Sequence, residues 1–218
     1  MTLPGEVVVR PAAAGDVERL VELYATVADE GRWLGAEGPV DRAELRQRWG
    51  RRLSSDDGVH LVADASGVVV GQVSLELAPY GVASLGMLVE GGWRRRGVGT
   101  ALVQAAVDAA RNRGCHKVSL QVWPHNQAAG ALYRKLGFED EGLLRHHYRR
   151  RNGELWGAVI MGLVLAGPAS AAGQEVEDDR GHHRQHDRGG DRDVDPDVLL
   201  PEGDVAREPA ETQPAGEQ

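Results

Sequence analysis

The segment from Ala83 to Trp123 constrains the fold more than any other part of the chain. It holds two runs typical of strands, "ASLGMLV" at 83–89 and "KVSLQVW" at 117–123, with a helix predicted between them. The apolar stripe of that helix is predicted to comprise Val98, Leu102, Ala105 and Ala109. A strand, a helix and a strand with short connections predict a parallel, right-handed crossover.

The flanking regions predict antiparallel hairpins and three further helices. Strands are predicted at Glu6–Ala12, Val59–Ala65, Gly67–Ala78, Glu141–Tyr148 and Glu154–Leu165. Helices are predicted after Asp16, which we expect to act as a cap, at Asp41–Leu53, and between the cap Asn126 and the stop Gly137. The predicted fold class is therefore α/β, a mixed and mostly antiparallel twisted sheet with one parallel strand-helix-strand crossover and flanking helices.

The last quarter of the sequence differs in composition from the rest. Residues 167–218 hold 14 acidic residues and 5 arginines, with few large apolar side chains. Such a segment buries too little apolar surface to order itself, so we predict a domain at residues 1–166 followed by a disordered acidic tail. His182, His183 and His186 lie in this tail, and we interpret their spacing as incidental rather than as a metal site.

Charge and composition exclude several classes of function. Residues 1–166 carry 20 basic and 19 acidic side chains, and this balance argues against nucleic acid as a partner. The apolar stretch from Leu155 to Ala166 is too short to span a membrane, and no signal peptide is recognisable. The single cysteine, Cys115, is typical of a reducing compartment, so we expect an inert thiol and a cytoplasmic protein.

The loop "GGWRRRGVGT" connects the first crossover strand to the helix at Val98. The first turn of a helix has unpaired backbone N–H groups, and Gly97 and Gly99 allow an anion to approach them. The loop lacks the Lys-Ser/Thr pair of a P-loop and the six-residue dinucleotide fingerprint. Taken alone, it predicts a pyrophosphate site and a basic turn about equally well.

A second motif follows the second crossover strand, "NQAAGALYRKLGF" at 126–138. Asn126 and Tyr133 are seven residues apart, almost two helical turns, so both project from one face of the helix, with the small Ala129 beside them. A tyrosine hydroxyl at this place is positioned to donate a proton. The alternative is a packed aromatic side chain on an amphipathic helix.

Together the two motifs resemble those of the GNAT N-acetyltransferases over residues 6–165. "RRRGVG" is similar to the Arg/Gln-x-x-Gly-x-Gly/Ala loop of the family, and "NQAAGALYRKLGF" to its Asn-x-x-Ala-x-x-Leu-Tyr-x-x-x-Gly-Phe helix. The resemblance implies acetyl-CoA as cosubstrate, no metal, and crossover strands that splay apart around the pantetheine arm. The cofactor-binding residues it implies are Met87, Leu88, Val89, Arg94, Arg95, Arg96, Gly97, Val98, Gly99, Thr100, Asn126, Ala129 and Tyr133. Tyr133 is also the implied catalytic acid.

The implied activity is direct transfer of an acetyl group to a primary amine of a small molecule, such as an amino acid, an amine or an antibiotic. The segment "GLLRHHYRRRNGELWGAVIM" resembles the small-molecule branch, although Gly157 stands where an aspartate is usual. Gln121 replaces the glutamate of members that acetylate a ribosomal protein N-terminus. Acetylation of a protein N-terminus or lysine, and acyl-CoA binding without turnover, remain as alternatives.

The general base and the acceptor pocket are less constrained. Glu76, Glu90 or water are candidates for the base, and for each carboxylate an exposed structural role is the simpler interpretation. The loop Gly31–Pro39 and the last hairpin are expected to shape the acceptor pocket. For His146, His147 and Tyr148 we favour alternating exposure along a strand over a place in that pocket. The oligomeric state stays open, with a homodimer as one alternative.

Overall fold

The computed structural model describes residues 7–165, in which seven strands form one sheet. The elements in chain order are β1 (Val7–Pro11), α1 (Val17–Asp29), α2 (Arg42–Leu53), β2 (Gly58–Ala65), β3 (Val68–Leu77), β4 (Val82–Val89), α3 (Val98–Asn112), β5 (Lys117–Val122), α4 (Gln127–Lys135), β6 (Glu139–Arg149) and β7 (Leu155–Val164). The strand order is β1-β2-β3-β4-β5-β7-β6. The β4–β5 pair is parallel and the other pairs are antiparallel, which confirms the predicted fold class. The tail at 167–218, with its three histidines, lies outside the described residues.

The two faces of the sheet are covered by different helices. One core lies under α3 and α4 and contains Leu102, Ala106 and Phe138. The other lies under α1 and α2 and contains Leu20 and the fully buried Trp49. Burial of large apolar side chains on both faces stabilises the crossover, because each contributes about 1.5–3 kcal/mol.

The apolar face of α3 differs from the predicted stripe. Val98 and Leu102 are buried as predicted, but Ala105 and Ala109 are only partly buried. The residues buried with the first two are Val103, Ala106, Val107 and Ala110. The predicted stripe was therefore wrong by about one position. The larger valine side chains face the sheet, and the two alanines lie at the edge of the buried face.

The caps of two helices show why those helices begin where they do. Asp41 caps α2, because its Oδ1 accepts the N–H groups of Ala43 at 2.8 Å and Glu44 at 3.1 Å. The cap predicted at Asp16 was wrong, since the helical N–H groups receive no bond from its carboxylate. That carboxylate instead accepts the N–H of Ala13 and pairs with Arg10, at 2.8 Å in each case. Because Arg10 binds the Asp16 carboxylate, that carboxylate does not cap α1.

Helix α4 begins and ends as the sequence predicts. Asn126 Oδ1 accepts the N–H of Ala129 at 3.2 Å. Gly137 has a φ of 92°, in the left-handed region that favours glycine, and the N–H of Phe138 donates to the carbonyl of Tyr133 at 3.1 Å. These bonds place the predicted catalytic tyrosine in the second turn of a firmly capped helix.

We expect the half-buried His60 of β2 to make folding stability depend on acid pH. Burial, and secondarily the charge of Arg52, lowers the pKa of His60 from 6.5 to about 4. The unfolded chain therefore binds a proton more readily than the folded one, so this contribution is complete above pH 6.5 and is lost as the pH falls towards 4. Allowing for partial solvent screening, the loss is about 1–2 kcal/mol.

His60→Gln tests this expectation through chemical denaturation between pH 7 and 4. The variant should lose less stability than the wild type over that interval. His147→Gln, a change of the same chemistry at an exposed position on β6, is the matched control. Equal pH slopes for the wild type and His60→Gln would remove His60 as the cause.

Candidate active site

A cavity opens where the two crossover strands separate. β4 and β5 pair at Val82 with Lys117, at Ala83 with Val118 and at Ser84 with Ser119, and their ladder ends there. Beyond this point a cavity of about 730 Å³ lies between them. The splaying implied by the resemblance is confirmed.

The backbone of β4 faces alternately towards β3 and towards the cavity. Glu90 N–H donates to Val70 O at 3.0 Å, and hydrogen-bonded pairs alternate along an antiparallel ladder. In this register Leu88 directs its N–H and C=O to β3, whereas Met87 and Val89 direct theirs to the cavity. All three residues line the cavity, but only two of them offer backbone groups to a ligand.

The loop from Gly91 to Gly97, followed by the first turn of α3, forms one end of the cavity; we call it the anion loop. Arg95 and Gly97 have φ values of 64° and 87°, so the chain turns sharply before α3. Such turns direct successive N–H groups to one side, next to the positive end of the helix dipole. Gly99 lies next to the side-chain ends of Leu132 and Met87, which a Cβ at this position would meet at 3.3 and 3.5 Å.

The predicted cofactor-binding residues are mostly brought together here. Those that line the cavity are Met87, Leu88, Val89, Arg94, Arg95, Gly97, Gly99, Thr100, Asn126, Ala129 and Tyr133. Two others do not line it: the Val98 side chain is buried in the core, and the exposed Arg96 lies over the ring of Trp93, 5.4 Å from its centroid. The Arg94 guanidinium has protein partners, donating from Nε to Val89 O at 2.9 Å and from both Nη atoms to Glu30.

Tyr133 lies on the cavity wall with its ring against Phe138, at a centroid distance of 5.6 Å. Only 6% of its surface is exposed, and this burial raises the pKa of its hydroxyl well above the usual range. Among residues 7–165 the hydroxyl has no hydrogen-bond partner. A buried phenol that stays protonated is suited to give a proton to an anion formed beside it.

The half of the cavity under α1 and α2 has a polar floor. Alternate residues of β3 and β4 share this face, and those lining the cavity are Gln72, Ser74, Glu76 and Ser84. Ser74 Oγ donates to Gln72 Oε1 at 3.0 Å. Arg52 reaches the floor from the last turn of α2 and pairs with Glu76 at 2.6 Å. Sequence reasoning missed Arg52, because nothing distinguishes it from the other arginines of "RQRWGRRL".

Residues 31–40, which we call the acceptor loop, form the roof of this half. Trp33, Leu34 and Gly35 line the cavity. Arg150, only 4% exposed, holds the loop by donating to Gly35 O at 2.7 Å and Leu34 O at 3.2 Å. This loop and the last hairpin both line the cavity, and that this half takes the acceptor stays a prediction.

The last hairpin contributes Tyr148 rather than the two histidines before it. The β6–β7 register shifts between Leu144 and Tyr148, and His146 has a φ of 52°. This bulge breaks the simple alternation that we favoured: His146 and His147 are exposed, whereas Tyr148 lines the cavity. Tyr148 Oη donates to Gln121 Oε1 at 2.5 Å, and burial raises the pKa of the tyrosine to about 12.

Both candidate base carboxylates are engaged in ion pairs. Glu76 pairs with Arg52, and Glu90 pairs with Arg19 at 3.0 Å. Glu76 lines the cavity, while Glu90 does not. The Glu76 carboxylate is already bonded to Arg52, so water remains a candidate for the base beside it.

Residues 7–165 contain no group of three or more His, Cys, Asp or Glu side chains that could hold a metal ion. No helix of these residues is long and apolar enough to cross a membrane. Cys115 is a free, half-buried thiol.

Comparison with known proteins agrees with this geometry. The Acetyltransferase (GNAT) family model matches residues 20–138, more than half of the chain. L-amino acid N-acetyltransferase AaaT of Escherichia coli (strain K12) is 31% identical over 165 residues, covering 73% of this chain and 98% of the relative. L-methionine sulfoximine/L-methionine sulfone acetyltransferase of Pseudomonas aeruginosa is 29% identical, covering 62% and 81%. The phosphinothricin acetyltransferase of Sinorhizobium meliloti, solved in complex with AcCoA, has a TM-score of 0.67 at 22% identity, covering 78% and 94%.

Proposed function

Since the chain belongs to the acetyltransferase (GNAT) family and is therefore an acyltransferase, we propose that it transfers the acetyl group of acetyl-CoA to the amine of an amino acid. One observation carries the proposal. A single cavity between β4 and β5 joins the anion loop, Tyr133 and the polar floor, so a cosubstrate and an acceptor can meet beside one proton donor.

The residues present fit acetyl-CoA. The N–H groups from Arg95 to Thr100 would hold the pyrophosphate, because they are unpaired at the start of α3 and Gly99 permits close approach. The cavity-facing backbone groups of Met87 and Val89 would pair with the pantetheine amides, with Asn126 beside them. The carbonyl of Val89 already accepts from Arg94, so we expect Met87 to contribute most.

The chain's own residues then have separate tasks. When bound, acetyl-CoA supplies a thioester whose carbonyl carbon an unprotonated amine can attack. The Met87 N–H would stabilise the negative charge that develops on that carbonyl oxygen, which leaves the Met87 C=O for a pantetheine amide N–H. Tyr133 gives its proton to the leaving sulfur, and water or Glu76 takes the proton of the amine. No covalent enzyme intermediate is required.

Arg52 supports an acceptor that carries a carboxylate. Burial lowers the pKa of this arginine although Glu76 lies beside it, so a further negative charge at this place would be stabilised. Trp33, Leu34 and Tyr148 provide an apolar wall opposite for a hydrophobic side chain. Both named relatives act on amino acids, which carry such a carboxylate.

We expect Arg52→Gln to raise KM for amino acids but not for the matching amines without a carboxylate. A hydrogen bond between charged groups contributes about 1.5–3 kcal/mol, which corresponds to an increase in KM of about 10- to 100-fold. The pair phenylalanine and phenethylamine provides an internal control, because any disturbance of Glu76 affects both acceptors. If KM for the two compounds rises equally, Arg52 does not recognise the carboxylate.

The proposed function is tested by mixing the protein with acetyl-CoA and a panel of amines and measuring free thiol. The panel contains amino acids, decarboxylated amines, polyamines and a peptide with a free N-terminus and a lysine. We expect amino acids to give the fastest release. Faster release with the peptide would favour protein acetylation, and acetyl-CoA binding without release would favour a binding module. The homodimer and the cytoplasmic location stay predictions.

A further inference from the structure

Arg94 belongs to the anion loop, but its guanidinium points to Glu30 at the C-terminal end of α1. Nη1 donates to Glu30 Oε2 at 2.7 Å and Nη2 to Glu30 Oε1 at 2.5 Å. Nε donates to the carbonyl of Val89 at 2.9 Å. All three nitrogens are therefore engaged by the protein, in a bidentate geometry that fixes the orientation of the side chain.

The partner of Arg94 controls the start of the acceptor loop. Glu30 follows the last residue of α1, and its Oε2 also accepts the indole N–H of Trp33 at 2.5 Å. The Arg94 Cζ atom lies 5.5 Å from the centroid of the Trp33 ring. Trp33 lines the cavity, so Arg94 helps to position this part of the wall through one carboxylate and one ring contact, beside the bond from Trp123 Nε1 to Trp33 O.

The acceptor loop is held at several places: Trp123 Nε1 donates to Trp33 O at 3.1 Å, and Arg151 donates to Gly38 O. Two further ties differ in character. Arg150 holds its middle from the last hairpin, and that arginine is almost fully buried. Arg94 holds its beginning, and this ion pair is about one-third exposed on each side. Only the second tie ends on the loop whose N–H groups would receive the pyrophosphate, so only this tie is placed to respond to a ligand there.

We infer that Arg94 is a positioning residue that holds the acceptor loop against the anion loop, and not a ligand of the pyrophosphate. The inference rests on the proposed function in one respect, that acetyl-CoA is the ligand of the anion loop. A ligand that orders Arg95 to Thr100 also orders the neighbouring Arg94, and through Glu30 it orders Trp33. The acceptor then binds next to a Trp33 side chain that is already ordered, so acetyl-CoA and the acceptor bind cooperatively.

The test is hydrogen exchange of the full chain and of Arg94→Gln, each free and with coenzyme A. We expect residues 30–36 to exchange faster in the free variant, while α3 and β5 stay unchanged. Coenzyme A should bind both proteins with affinities within about threefold and should protect the anion loop in both, because the backbone N–H groups are retained. It should slow exchange at residues 30–36 in the wild type alone.

The matched control is Arg46→Gln, which removes another bidentate pair with a carboxylate of α1. Arg46 donates to Glu18 at 2.5 and 2.9 Å, and neither residue lines the cavity. This variant should leave exchange at residues 30–36 unchanged. In the acetyl-transfer assay Arg94→Gln should raise KM for the acceptor about five- to tenfold with little change in kcat, an effect reduced by solvent exposure of the pair. Arg94→Lys should recover part of it.

Two results would overturn the inference. One is unchanged exchange at residues 30–36 in free Arg94→Gln. The other is a loss of coenzyme A affinity of about tenfold or more with an unchanged KM for the acceptor, as expected of a phosphate ligand. If coenzyme A does not bind the wild type, the proposed function fails, whereas the comparison of the two free proteins still decides whether Arg94 holds the loop.

Discussion

Gly99→Asp is expected to abolish acetyl-CoA binding while the protein stays folded. The substitution would place a carboxylate at the second residue of α3, beside the N–H groups proposed to hold the pyrophosphate. At about 5 Å and an effective dielectric constant of about 20, each pair of unit charges costs about 3 kcal/mol. The affinity should fall about 100-fold or more, as measured by calorimetry with acetyl-CoA.

Gly99→Ala separates charge from shape in the same experiment. A Cβ at this position would lie 3.3 Å from Leu132 Cδ1 and 3.5 Å from Met87 Cε, and both are ends of flexible side chains. The alanine variant should therefore bind acetyl-CoA within a few fold of the wild type. A carboxylate in the first turn of a helix also stabilises it, so Gly99→Asp should not lower the melting temperature. Binding of acetyl-CoA by Gly99→Asp at wild-type affinity would place the pyrophosphate elsewhere.

Tyr133→Phe is expected to reduce kcat about 10²- to 10³-fold, with the affinity for acetyl-CoA nearly unchanged. The ring and its contact with Phe138 remain, and the lost hydroxyl has no hydrogen-bond partner among the described residues. The phenylalanine variant therefore keeps the shape of the cavity and loses only the proton donor. Single-turnover kinetics with the best acceptor of the amine panel would measure the chemical step directly.

Tyr148→Phe is the natural control for this substitution, since it removes the other tyrosine hydroxyl that faces the cavity near β5. That hydroxyl donates to Gln121, so its loss should disturb the acceptor side and affect KM more than kcat. A wild-type rate in Tyr133→Phe would exclude this residue as the acid. A large loss of acetyl-CoA affinity in the same variant would give it a binding role instead.

Local sequence patterns were sufficient for the parts of the site that depend on the backbone. Gly97 and Gly99 at the start of a helix constrain one short segment, and Asn126 and Tyr133 at a spacing of seven constrain another. The conformation of each follows from its own residues. The order of strand, helix and strand then requires the two segments to meet at one end of the sheet. The fold and the cosubstrate half of the cavity follow from these rules.

The acceptor half depends on arginine side chains whose partners are distant in the sequence. Arg94 pairs with a residue 64 positions away, and Arg150 donates to carbonyls more than 110 positions away. A long, flexible side chain reaches its partner only after the chain has folded. The residues next to it in the sequence therefore do not indicate which partner it will have. This explains why "RRRGVG" placed Arg94 among the implied cofactor-binding residues but did not indicate its ion pair with Glu30.

The early end of the β4–β5 ladder has a consequence for how this protein avoids unwanted association. Beyond Ser84 and Ser119, the backbone N–H and C=O groups that β4 and β5 turn towards each other have no neighbouring strand, like those of an edge strand. Exposed edge strands can pair with strands of other proteins and so promote aggregation. Here the unpaired edges face each other inside the sheet, with helices above and below, so a thin linear molecule can reach them and a second polypeptide strand cannot.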